Sequence, residues 1–176
     1  MAFERGQTVE ILSQEKGFEG SFFPAIIISK VSENNYIVQY STLHAGQHEG
    51  YDDEFRPQRE FCKETEIRPE PPHVSVSEFA LKHKVDAYYN DGWWVGTVIE
   101  CVHHEGDVEK KYLVYFKKFD EKTFFKFEDL RVHQDWSRGQ WSIPKKVGRP
   151  VGSIRKLAKI KDDENLYVLA CRLEKN

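Results

Sequence analysis

Apolar and polar side chains alternate with a period of two almost from the start of the chain. Gly6-Gln-Thr-Val-Glu-Ile-Leu12 reads as a half-buried strand. A loop holding Gly17 and Gly20 separates it from Ser21-Phe-Phe-Pro-Ala-Ile-Ile-Ile28, and a polar turn at 32–35 leads into Tyr36-Ile-Val-Gln-Tyr40. These three stretches predict a meander. The same order returns later. Lys84-Val-Asp-Ala-Tyr-Tyr89 is followed by an Asn90-Asp91-Gly92 turn, then Trp93-Trp-Val-Gly-Thr-Val-Ile99, a charged turn through Gly106, and Lys111-Tyr-Leu-Val-Tyr-Phe116.

Each half continues with an acidic, aromatic segment and a short strand-like piece. These are Tyr51-Asp-Asp-Glu-Phe-Arg56 with Glu66-Ile-Arg68, and Thr123-Phe-Phe-Lys-Phe-Glu128 with Asp129-Leu-Arg-Val132. Five short strands in about 60 residues suit a small, strongly bent barrel that closes its own edges. Between the halves, Arg68-Pro-Glu-Pro-Pro-His73 removes backbone donors and favours an extended connector. The expected organisation is a first barrel at 1–70, a Pro-rich linker at 71–78, a second barrel at 79–144 and a basic C-terminal extension at 145–176. Barrels this small, joined by a short stiff linker, are expected to pack together.

Composition supports the all-β reading. Aromatics make up 14% of 176 residues beside a single Met, and aromatic side chains favour a pleated surface. No apolar run approaches the roughly 18 residues that cross a bilayer, and MAFERGQTVE lacks the apolar stretch of a signal peptide, so a soluble, intracellular protein with no membrane partner is expected. Cys62, Cys101 and Cys171 are odd in number and contain no CxxC pair, which suggests neither a disulfide framework nor zinc. His103 and His104 are adjacent, so on a strand they would face opposite ways, and no metal site is expected there.

The net charge of −3 conceals an asymmetry. Residues 1–72 carry 7 basic and 13 acidic side chains, residues 73–136 carry 9 and 12, and residues 137–176 carry 10 and 4. An acidic body thus precedes a basic tail, and the two should attract different partners. The sequence offers no serine elbow, phosphate loop or metal-ligand cluster, and small barrels give little depth for catalysis, so an enzyme and a bound cofactor are not expected.

Gly17-Phe-Glu-Gly-Ser-Phe-Phe-Pro-Ala25, Tyr36-Ile-Val-Gln-Tyr40 and the closing Ile67-Arg-Pro69 resemble the first Agenet domain of plant chromatin proteins. Val85-Asp-Ala-Tyr-Tyr89 with Gly92-Trp-Trp-Val-Gly-Thr-Val98 resembles the second, and Leu130-Arg-Val-His-Gln-Asp-Trp136 with Gly139-Gln-Trp141 is similar to its usual ending. Agenet domains stand with Tudor, chromo and PWWP folds in the Royal superfamily. The resemblance implies tandem Tudor-like barrels in a nuclear chromatin protein reading a histone H3 N-terminal tail with preference for dimethylated lysine 9; a monomer is expected.

A methylated ammonium is recognised by desolvation against aromatic faces, each contact contributing about 0.5–2 kcal/mol. In Tudor-like barrels the rings come from the end of the first strand, the start of the second and the end of the third. In the second barrel those positions are Tyr89, Trp94, Tyr115 and Phe119, with Trp93 and Phe116 pointing the other way if alternation holds. In the first barrel they are Leu12 or Ser13, Phe22 or Phe23, and Tyr40, so the first slot holds no ring and the cage is complete only if Tyr51 or Phe55 folds in from the acidic loop. Acidic neighbours favour lower methylation states through charge-assisted bonds; Asp91 adjoins the second set, and Asp52, Asp53 and Glu54 the first.

The rival reading is nucleic-acid binding through the basic extension. There Lys145, Lys146, Arg149, Arg155, Lys156, Lys159 and Lys161 are available to neutralise phosphates, and Gly148-Arg-Pro150 partly matches a minor-groove motif. A weak contact of that kind is the alternative partner. An acidic body would repel the same ligand from the barrel rings.

Overall fold

A computed structural model of the chain describes residues 2–44, 56–103 and 110–144. Their regular elements are β-strands and two single 3-10 turns. The first barrel is built from β1 (Thr8–Leu12), β2 (Phe22–Ser32), β3 (Asn35–His44), β4 (Pro57–Lys63), a 3-10 turn at Glu64–Glu66 and β5 (Ile67–Pro69). The second repeats it with β6 (Lys84–Tyr89), β7 (Gly92–Val102), β8 (Lys111–Phe116), β9 (Glu121–Lys126), a 3-10 turn at Phe127–Asp129 and β10 (Leu130–Val132). The wiring is the same in both: the first strand pairs antiparallel with the second and the fifth, the second with the third, and the third with the fourth.

Each long second strand slips register by one residue, between Ile27 and Ser29 in β2 and between Val98 and Glu100 in β7. Such a bulge bends the strand, which lets five short strands wrap one core. Inward positions follow the alternation. Val9, Ile11, Phe23, Ala25, Ile27, Tyr36, Val38 and Tyr40 fill the first core, and Val85, Ala87, Val98, Tyr112, Val114, Phe116, Phe125 and Leu130 the second. A phenylalanine outside the strands plugs each: Phe3 stands edge-on to Tyr36 at 5.7 Å, and Phe79 edge-on to Tyr112 at 5.6 Å. Phe3 and Phe79, Val9 and Val85, Glu10 and Asp86, and Tyr36 and Tyr112 are each 76 positions apart, so the repeat visible in the sequence is a repeat of packing.

Two elements depart from the sequence reading. The fourth strand of the first barrel is Pro57-Gln-Arg-Glu-Phe-Cys-Lys63, in which only Cys62 is buried; Tyr51 to Phe55 fall outside the described residues. Charged side chains on an edge strand discourage intermolecular pairing and erase the alternation that would have revealed it. After β10 a hairpin follows, β11 (Asp135–Ser137) with β12 (Gln140–Ser142). Its turn has positive φ at Arg138 and Gly139, as a two-residue hairpin turn matched to strand twist requires, and Trp136 and Trp141 pair across it at 5.1 Å.

The barrels join where β2 meets β7 antiparallel at Phe22 and Trp93, so one sheet of ten strands runs through both. Beside that junction the outward residues of β1 and β6 face each other. Glu10 and Asp86 are both buried there, and each lies opposite an arginine in its own ladder, Arg68 on β5 and Arg131 on β10. The arginines also cross between barrels. Arg68 donates to Glu10 at 2.7 and 2.9 Å and reaches Asp86 at 3.5 Å; Arg131 lies 2.7 Å from Glu10 and 3.2 Å from Asp86. The guanidinium of Arg68 stacks on Phe22, 3.2 Å from its centroid, and that of Arg131 on Trp93 at 4.0 Å. Two acids, two arginines and two rings thus form a pseudo-symmetric joint.

The segment after β10 straps this joint. His133 Nδ1 lies 2.5 Å from Asp86, its Nε2 lies 3.2 Å from Asp135, and the Gln134 amide donates to the Pro72 carbonyl at 2.8 Å. Burial pushes the Asp86 carboxyl up, but the His133 hydrogen bond and the charges of Arg131 and Arg68 outweigh it and hold the carboxyl below its ordinary range.

Removing one member of a buried ion network strands the others, at a cost of about 3–5 kcal/mol. Arg68→Ala should therefore lower the unfolding free energy by about that amount in urea titration, and a loss below about 1 kcal/mol would contradict the joint's role. A carboxyl depressed in the folded state contributes stability that is present above its unfolded pKa, about 3.9, and lost as pH falls through the folded value. The melting temperature should accordingly fall on acidification below about pH 4, and the fall should be shallower in Asp86→Asn.

Candidate functional site

The loop between β1 and β2 closes on itself. Ser13 N–H donates to the Ser21 carbonyl at 2.9 Å, Gly20 N–H to the Ser13 carbonyl at 3.0 Å, and the Ser21 hydroxyl to the Phe18 carbonyl at 2.6 Å. Gly17 and Gly20 take positive φ, a conformation favoured by the absence of a Cβ, and between them Phe18 is presented 38% exposed. Its ring lies 6.2 Å from Phe23 of its own barrel and 5.8 Å from Trp94 of the other.

Trp94 is fixed from the opposite side. Its indole N–H donates to the Tyr89 carbonyl at 2.6 Å, and Phe119 stands across its face at 5.3 Å with planes 66° apart. Phe119 is held in the turn after β8 by a hydrogen bond from its N–H to the Phe116 carbonyl, 3.1 Å. The rings thus run in one row across the barrel junction: Phe119, Trp94, Phe18, Phe23 and Tyr40, the last pair edge-on at 6.3 Å. At its first-barrel end the Tyr40 hydroxyl donates to the Glu60 carboxylate, and burial together with that acceptor raises the phenol pKa. Trp94, Phe18 and Phe119 are partly open to solvent; Phe23 and Tyr40 are buried.

Of the second-barrel rings expected from the sequence, Trp94 and Phe119 meet. Tyr89 contributes its carbonyl to Trp94, but its half-exposed ring packs near Phe125 at 6.3 Å. Tyr115 donates through its hydroxyl to Asp120 at 2.9 Å, one residue past Phe119. In the first barrel Phe23 and Tyr40 join the row, whereas Phe22 lies under Arg68. Alternation turns Phe22 outward from β2, and outward there is the joint between barrels. Asp91 is exposed in a turn where both it and Asn90 have positive φ, and its carbonyl accepts from the Thr42 hydroxyl of the first barrel at 2.9 Å. Tyr51, Asp52, Asp53 and Glu54 lie outside the described residues, as do His104 and the basic residues from Lys145 onward.

Phe18 belongs to the row without having stood out in the sequence, because a loop shows no alternation. Its signal was a large apolar side chain between two glycines that force a tight turn. Other chemistry is quiet. Among the described residues no group of His, Cys, Asp and Glu could hold a metal ion. Burial pushes the Cys62 thiol up to about 12 and raises that of Cys101, which disfavours the nucleophilic thiolate. A cavity of about 620 Å³ opens at the far end of the first barrel, beside Phe3, Asn35, Ile67 and Trp136, and its lining includes none of the expected site residues.

Gly92 holds the row against the junction. A Cβ there would stand 2.9 Å from Phe23 Cε1. Gly92→Ala should overpack this contact and cost about 1–3 kcal/mol, read as a lower urea midpoint at unchanged slope. An unchanged midpoint would contradict the close packing described.

Among known proteins, the Agenet domain family model matches residues 6–72. "Protein AGENET DOMAIN (AGD)-CONTAINING P1" of Arabidopsis thaliana is 38% identical over 147 residues, covering 84% of this chain, and DUF724 domain-containing protein 3 of the same plant is 31% identical over 150 residues, covering 82%. The matches span only 26% and 20% of those two proteins. The crystal structure of Arabidopsis thaliana AGDP1 AGD34 superposes with a TM-score of 0.68 at 37% identity, over 81% of this chain and 90% of that one. The crystal structure of ADCP1 tandem Agenet domain 3-4 gives 0.66 at 34%, over 81% and 89%.

Proposed function

The chain belongs to the plant tandem Agenet family, and from that premise we propose that it is a nuclear chromatin reader, a non-catalytic monomer that binds the histone H3 N-terminal tail and prefers lysine 9 dimethylated. The observation that carries the reading is Trp94. Its indole is locked by the Tyr89 carbonyl, flanked by the rings of Phe119 and Phe18, and left partly open to solvent.

A dimethylammonium has lost most of its ability to satisfy water, so it moves from solvent onto aromatic faces at small desolvation cost and gains cation–π attraction there. An unmodified ammonium is more strongly hydrated and gains less. The rest of the tail is drawn by charge: residues 1–136 carry 16 basic and 25 acidic side chains, a field that raises the encounter rate of a basic peptide and repels phosphate. Asp91 and the acids at 52–54 are the proposed partners of tail arginines, lysines or the free N-terminus. We propose domain boundaries at 70 and 79 on the same reading; β5 ends at Pro69, and Phe79 packs in the second core.

Calorimetric titration with an unmodified H3 N-terminal peptide and the same peptide dimethylated at lysine 9 tests the proposal. Tighter binding of the methylated form is expected, and Trp94→Ala should weaken that form by about 2- to 30-fold, the worth of one cation–π contact, while far-UV circular dichroism is unchanged. Equal affinity of the wild type for both peptides would contradict methyl reading.

A further inference from the structure

We infer that the methyl-ammonium site is shared between the barrels: Phe18, from the β1–β2 loop of the first, supplies an aromatic wall to the site centred on Trp94 of the second and sets its preference for a methylated lysine. The inference rests on the reading of Trp94 as the receiving ring and goes beyond it in assigning the site to both barrels.

The geometry selects Phe18 by what the neighbouring rings are doing. Tyr89 and Tyr115 occupy the positions from which the second barrel would enclose Trp94 by itself. The first turns its ring toward Phe125 at 6.3 Å, and the second is bonded through its hydroxyl to Asp120. Phe119 therefore covers one side of Trp94 at 5.3 Å, and the ring on another side, at 5.8 Å and 46° to the indole, comes from the first barrel. Phe23 and Tyr40 are each only 6% exposed and make the floor behind Phe18. Phe18 and Phe119 are thus the rings beside Trp94 that are themselves partly open to solvent.

The loop is built to keep that ring in place. Its backbone bonds from Ser13 to Ser21 and from Gly20 to Ser13, with the Ser21 hydroxyl on the Phe18 carbonyl, tie the tip to the loop's own base. Glu19 caps the Gly17 N–H at 2.8 Å, and Lys118 of the second barrel adds its attraction for that carboxylate. Lys118 Nζ would lie 3.7 Å from a Cβ on Gly20, so the loop bearing Phe18 and the turn bearing Phe119 approach each other across the junction. A preorganised pair of walls loses little ordering entropy when the ligand enters.

The test uses the full chain and the same two H3 peptides, with wild type, Trp94→Ala, Phe18→Ala, Phe18→Leu and Phe18→Tyr. Phe18→Ala and Phe18→Leu should each reduce the preference for the dimethylated peptide by about 2- to 30-fold, weakening that peptide more than the unmodified one, and Phe18→Tyr, which keeps a ring, should keep the preference. Leucine retains apolar packing without a π face, so loss in that variant at an unchanged melting temperature separates the wall from a merely structural contact. If wild type discriminates and Trp94→Ala does not, but Phe18→Ala and Phe18→Leu keep the preference, the shared site is overturned and the Trp94 reading stands. Loss of affinity for both peptides alike in the Phe18 variants overturns it too. A wild type without preference overturns both.

Discussion

Four charges between two barrels, three of them buried and the fourth, Arg131, half-buried, govern the arrangement of this protein. Glu10 and Asp86 occupy the outward face of the first strand of each barrel, a face that would be solvated in an isolated domain, and Arg68 and Arg131 bond to both acids. Apolar surfaces would tolerate sliding; the paired, directional bonds of guanidinium and carboxylate tolerate far less. The stacking of Arg68 on Phe22 and Arg131 on Trp93 adds a second restraint at the residues where the two barrels join. Everything that spans the junction, including the approach of Phe18 to Trp94, follows from this one docking.

Much of the fold was legible because strand alternation is set by the core. Val9 and Ile11, Val85 and Ala87 each pointed inward where the period placed them. What sat between them was a clue with two readings: Glu10 and Asp86 hold the same slot in a repeated pattern, and a polar residue in an outward slot looks solvent-exposed until a second barrel covers it. Period alone does not report a covered outer face, and Phe22 went to that face for the same reason. The edge strand β4 was hidden by its charges, and the hairpin of Trp136 and Trp141 by its brevity.

The site was legible only in part, and the division has a physical basis. Trp94 and Phe119 are carried by a strand and the turn it faces, so register predicts their neighbourhood. Tyr89 and Tyr115 sit at the expected register positions, and register does not report their contacts: the Tyr89 ring lies 6.3 Å from Phe125, and the Tyr115 hydroxyl donates to Asp120. Phe18 is the opposite case: no register fixes it, and two glycines with a web of loop hydrogen bonds do.

The proposal that Trp94 receives a methylated lysine stands on its partly open indole between Phe18 and Phe119 and on the acidic excess of residues 1–136. The most direct measurement follows the indole N–H signals of the four tryptophans in a nitrogen-15 labelled sample as unmodified and lysine-9-dimethylated H3 peptides are added. The account predicts that the Trp94 indole alone responds differently to the two peptides, while those of Trp93, Trp136 and Trp141 follow the same course with both. A Trp94 signal indifferent to methylation, or a methylation-dependent shift centred on Trp136 and Trp141 instead, would contradict it.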